Sequence, residues 1–139
     1  MKRNSQLLRR ALWVAAALNV GGAFLFAFPA SSLGQLAGLP TVVPVAYRAF
    51  TALFILLFAG AYAWLANQPS INRPFVVFGA IGKASAFFVV LLLWLTAEAS
   101  TRSVLAISGD LVLAGLFTWG LVAPGTEAEG DASASPEHT

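Results

Sequence analysis

The sequence predicts an all-α fold: an integral membrane bundle of four transmembrane helices, antiparallel in up-down-up-down order, with both termini cytoplasmic. Three observations predict it. Of the 139 residues, 58% are hydrophobic and only 10% charged, with a mean hydropathy of +0.78, too little charge to clothe a soluble domain of this size. Four apolar stretches, at about 11–28, 46–66, 75–96 and 104–122, are each long enough to cross a hydrocarbon layer roughly 30 Å thick. Basic residues and tryptophans are distributed unequally about the ends of those stretches.

The head of the chain, residues 1–10, holds Lys2, Arg3, Arg9 and Arg10, half of the eight basic residues. The net charge of +2 and pI near 9.5 therefore read as a topology signal rather than a phosphate-binding face, and no nucleic-acid partner is expected. The apolar run of span one is longer than the 7–15 residues of a signal-peptide core, and Phe28-Pro29 interrupts any small-x-small cleavage site. Span one is expected to stay as an anchor.

With the N-terminus inside, the inner side holds Lys2, Arg3, Arg9, Arg10 and Arg73, and the outer side only Arg48 and Arg102, which sets the orientation. Trp13, Trp64 and Trp119 fall at inner ends, and Trp94 with Tyr47 at the outer end, as interfacial aromatic rings prefer. Pro44 and Pro74 stand at the first turns of spans two and three, where a missing N–H costs little. Pro124-Gly125 closes span four.

The connections differ in kind. Residues 29–45 carry no charge, and Leu33, Leu36 and Leu39 recur at helical spacing. Either a short interfacial helix or an irregular apolar loop capping the bundle fits that segment. The stretch 67–73 (NQPSINR) is a polar turn, and the one near 97–103 is short enough only for an antiparallel hairpin. Residues 123–139 hold four acidic residues and almost no large apolar ones, so an acidic, disordered cytoplasmic tail is expected. Glu98 and Arg102, four apart beside the hairpin, read as a solvated pair of little consequence.

The residues that do not belong in lipid are Asn19, Arg48, Tyr62, Lys83 and Asp110. An ionisable group inside a span costs roughly 2.5–3.5 kcal/mol even on the lenient insertion scale, so each needs a partner or a purpose. Each lies on a stripe of small residues: Leu12, Ala15, Asn19, Gly22 and Phe26; Arg48, Ala52, Ile55, Ala59, Tyr62 and Ala66; Gly79, Lys83, Ala86 and Val90; Ala106, Asp110 and Ala114. Steps of three and four keep each set on one helix face, and small residues let helices approach closely in membranes, so these faces point into the bundle. At 1.5 Å per residue, Asn19 and Lys83 sit roughly 12 Å from the inner boundary and Asp110 roughly 9 Å from the outer one. Side chains lean toward a helix N-terminus. That favours an outer Arg48–Asp110 pair and an inner Lys83–Asn19–Tyr62 cluster, with a direct Lys83–Asp110 bridge as the competing geometry. Both a ligand site and a purely structural polar core fit these residues, and Arg48 has the further option of snorkelling to the interface.

There is no cysteine, the one histidine is His138, and the one methionine is Met1. Disulfides, thiolate metal sites and a haem, zinc or copper centre in the spans are not expected. Ser85 and Ser108 have no activating base, so the sequence leans away from an enzyme.

The run ALNVGGAFLFAFPASSLGQLAGLP, then PVAYRAF with AGAYAWLA, then RPFVVFGAIGKASAF with its Gly82-Lys83, and SGDLVLAGLFTWGL with its Gly109-Asp110 together resemble the DoxX-like family of small four-helix bacterial membrane proteins. The resemblance spans about residues 7–122. It implies a multi-pass protein of the bacterial inner membrane, in a family that includes accessory subunits of quinone-linked oxidoreductases and proteins of membrane-complex assembly. Three roles follow in order: a non-catalytic accessory or assembly subunit, a quinone- or lipid-binding subunit, and a small transporter or channel. Expected partners are membrane lipids and a larger membrane complex or a second copy of the chain. No cofactor is expected beyond a bound quinone or lipid.

Overall fold

Apolar runs punctuated by proline and by small polar caps give long helices with sharp ends. The computed structural model describes residues 2–123, with side chains described from Ser5. Among them are five helices and no strand: α1 (Lys2–Ala27), α2 (Ser32–Leu36), α3 (Val45–Asn67), α4 (Arg73–Leu95) and α5 (Thr101–Val122). The acidic tail expected to be disordered lies, beyond Ala123, outside the described residues.

The four long helices are long and apolar enough to cross a membrane. α1 begins well before the apolar run, because the basic head continues the same helix. α2 is the short helix that the leucine spacing allowed. It takes in Leu33 and Leu36, both exposed, whereas Leu39 lies beyond its end.

Side-chain caps set the starts. Ser31 Oγ accepts from Gly34 N at α2, Asn72 Oδ1 from Phe75 N at α4, and Ser100 Oγ from Ser103 N at α5, each satisfying an otherwise orphaned donor. Pro44 precedes α3, and Pro74 lies in the first turn of α4.

Two ends are closed by left-handed residues. Gly38 (φ 76°) follows α2, and Leu39 N donates back to Gly34 O at 3.0 Å. Ala97 (φ 62°) follows α4, with Glu98 N donating to Leu93 O at 2.8 Å and Ala97 N to Trp94 O at 3.1 Å. This is the paired-bond closure in which glycine is customary, here made by an alanine.

α1 packs most extensively on α3 and α4 on α5, with α1 also against α5. The core gathers Leu8, Ala11, Leu12, Ala15 and Ala16 of α1 with Tyr62, Leu65 and Ala66 of α3, Val76 and Ala80 of α4, and Leu113 and Phe117 of α5. These come from residues 8–16 of α1, the first half of α4 and the last half of α3 and α5, so one end of the bundle is tightly packed. Close approach there depends on glycine. A Cβ on Gly79 would come within 2.9 Å of the Tyr62 ring, and one on Gly120 within 3.0 Å of Leu8. The outward faces carry large exposed apolar side chains, among them Phe50, Phe54, Phe78, Phe88, Leu92 and Val112, and all four tryptophans are exposed.

Candidate functional site

At the margin of this core the helices meet through polar groups. Lys83, only 4% exposed, projects from α4. Its Nζ lies 2.5 Å from Asp110 Oδ1 on α5 and donates to Asn19 Oδ1 on α1 at 3.0 Å. Asn19 passes the chain on, its Nδ2 donating to the Ile55 carbonyl of α3 at 3.4 Å. One run of hydrogen bonds thus touches all four long helices. The Lys83 ammonium also stands 5.5 Å from the centroid of the Tyr62 ring, close enough for a cation–π attraction. Tyr62 is buried and packs by its ring against Phe117 and Phe58, the centroids being 5.7 and 6.2 Å away.

The favoured pairing of Arg48 with Asp110 is overturned by this geometry; the competing Lys83–Asp110 bridge is the one formed. Lys83 lies 12 residues before the end of α4, and Asp110 nine after the start of α5. At 1.5 Å per residue the two differ in height by about 5 Å, a gap that the flexible lysine stem closes. The backward lean of the side chains is too small to keep them apart. Arg48 has no comparable route, since α3 packs chiefly on α1 rather than on α5. The expected inner cluster does assemble in part: Lys83 bonds Asn19, and Tyr62 joins through its ring face. In α5 the inward face runs through Leu113, Ala114 and Phe117, and Ala106 is exposed rather than interior.

Arg48 sits elsewhere, half-buried, one turn into α3, against a cavity of about 190 Å³. Among the described residues its guanidinium has no ion-pair partner within 4 Å, the one such pair being Lys83–Asp110. Glu98 and Arg102 likewise form no salt bridge. The left-handed Ala97 ends α4 before Glu98 and Ser100 starts α5 after it, so the four-residue spacing does not lie along one helix.

Two cations read from the sequence only as topology markers have structural work as well. Arg9 reaches from α1 to the end of α3, donating to Ala66 O at 2.5 Å and Pro69 O at 2.9 Å. Arg73 donates to the Leu121 carbonyl at the end of α5. Carbonyls at helix C-termini lack intrahelical partners and attract cations. The composition near those ends gave no hint, because each arginine is supplied by a different helix from the one it closes.

Chemically, the centre is an internally satisfied polar network: the lysine charge is matched by a carboxylate, an amide oxygen and an aromatic face. Asp110 keeps 23% of its side chain exposed, and only its Oδ1 is engaged. Ser108 Oγ donates to the Leu105 carbonyl at 2.7 Å, an ordinary helical back-bond. No protein-family model, curated protein or solved structure matches this chain.

Proposed function

We propose that this chain is a four-span membrane protein of DoxX-like type that acts as a non-catalytic accessory or assembly subunit of a membrane complex. The observation that carries the role is that the polar groups at the centre of the bundle, Lys83, Asp110 and Asn19, are bonded to one another and to the Ile55 carbonyl. A satisfied network holds helices together and leaves the outward apolar faces as the surface on which a partner or lipid acts.

The antiparallel up-down-up-down order is supported by contacts that run in opposite directions along neighbouring helices. Arg9 meets Ala66 while Asn19 meets Ile55, and Leu8 lies beside Gly120. Cytoplasmic termini in a bacterial inner membrane rest on the basic residues about the end where α1 starts and on the resemblance. In that setting Leu33 and Leu36 of α2 lie at the outer interface. The chain contains no cysteine, so single-cysteine probes are clean. An impermeant maleimide applied to intact cells labels Thr41→Cys and spares Ser70→Cys if this orientation holds; the reverse pattern contradicts it.

A second reading, a quinone- or lipid-binding subunit, is favoured by the unengaged oxygen and partial exposure of Asp110. A transporter or channel draws less support, because broken helices usually build such sites and the four long helices here are continuous. The Lys83→Met/Asp110→Asn double variant separates the first two readings. As an accessory subunit it folds, co-purifies in mild detergent with the same membrane proteins as the wild type, and complements a deletion. A folded double variant that fails to complement and loses a co-purifying quinone or lipid favours the ligand-binding role.

A further inference from the structure

Arg48 and its cavity stand apart from the polar network. The cavity of about 190 Å³ is walled by Phe26, Pro29, Leu39 and Val43, with Arg48 and Thr51 on the α3 side. Thr51 offers it no free donor, since its hydroxyl donates to the Tyr47 carbonyl at 2.8 Å. A guanidinium is a planar cation whose donors match the geometry of a phosphate. Of the two carboxylates among the described residues, Asp110 is held by Lys83 and Glu98 forms no ion pair. What remains is a fixed cation with five N–H donors beside an apolar hollow.

Height along the helix bears on the occupant. Arg48 is the fourth residue of α3, about 5 Å below the helix start. With the start of α3 at the outer edge of the bilayer, that height falls within the headgroup layer, which adds roughly 5–7 Å to each side of the hydrocarbon. Guanidinium pairs with phosphate in a bidentate, charge-assisted geometry, and apolar walls beside it suit hydrocarbon rather than water.

We propose that Arg48 and this cavity bind an anionic phospholipid, the guanidinium taking the headgroup phosphate and the cavity the first methylenes beneath it. The site rests on the membrane-spanning reading but is independent of the accessory role.

The test is native mass spectrometry of the full chain in mild detergent, equilibrated with equal amounts of phosphatidylglycerol and phosphatidylcholine. The wild type retains one phosphatidylglycerol in preference to phosphatidylcholine, and millimolar inorganic phosphate does not displace it. Arg48→Gln lowers the retained fraction about tenfold, the loss of a charge-assisted contact. Arg102→Gln, the other cation at this end of the bundle, leaves it unchanged. Val43→Trp, which fills the cavity and keeps the arginine, lowers it as well; circular dichroism confirms that each variant is folded. Equal retention of both lipids, full retention by folded Arg48→Gln, or displacement by inorganic phosphate overturns the proposal. Release of the chain from membranes by alkaline carbonate overturns it together with the membrane reading, whereas loss of lipid preference in a carbonate-resistant protein overturns it alone.

Discussion

Lys83 Nζ and Asp110 Oδ1 lie 2.5 Å apart, joining α4 and α5 in the middle of their lengths. The lysine is almost wholly buried, and Asn19 supplies its second acceptor. In a low-dielectric interior neither charge is stable without the other. The pair therefore fixes the register of α4 against α5 and, through Asn19, ties both to α1 and α3.

The Tyr62–Gly79 contact is the next most exacting feature. A methyl group at Gly79 would press on the ring at 2.9 Å and on the hydroxyl at 3.1 Å, and both residues are buried. Gly79→Ala is expected to cost about 1–3 kcal/mol, the usual penalty of overpacking. In a Tyr62→Leu background the same change costs less, as read from SDS-titration midpoints of the detergent-solubilised protein.

The two left-handed residues respond oppositely to exchange of glycine and alanine. Ala97→Gly relieves a φ of 62° and raises stability by about 0.5–1 kcal/mol, the left-handed penalty of alanine less the added chain entropy. Gly38→Ala lowers it, because Gly38 has a φ of 76° and its missing Cβ would collide with Ser100 and Ser103. Thermal midpoints of the pair, measured in one detergent, check both signs.

Arg9 bonds Ala66 O and Pro69 O at the end of α3. Arg9→Gln is expected to destabilise by about 1 kcal/mol, since the site is partly exposed and the lost contacts are charge-assisted. Arg9→Lys recovers part of the loss, because one ammonium cannot reproduce the two-pronged contact. Hydrogen exchange at residues 63–69 rises in Arg9→Gln if the arginine holds that end.

Much of the helical framework was legible in the sequence, because apolar run length and proline placement are local signals. The ends of α3 and α4 fall within two residues of the expected spans. That Lys83, Tyr62 and Asn19 would converge was also legible, from the matching depth of Lys83 and Asn19, the reach of the lysine stem and their small-residue faces. The partner of Asp110 was not. Choosing between Arg48 and Lys83 requires knowing which helices are neighbours, and a height difference of about 5 Å is within reach of a lysine stem. The roles of Arg9 and Arg73 were hidden for the same reason, since a cation closing another helix leaves no mark in its own segment. Ala97 was hidden differently: nothing local marks an alanine as left-handed.

The most direct test of the central pair is a double-mutant cycle of Lys83→Met and Asp110→Asn, measured by reversible SDS unfolding in mixed micelles. Each single variant leaves one interior group without its partner and is expected to lose about 2 kcal/mol or more. The double variant removes both charges and should lose less than the sum, with an interaction term of about 1–3 kcal/mol. Strictly additive losses, or single variants as stable as the wild type, would contradict a bundle held in register by Lys83 and Asp110.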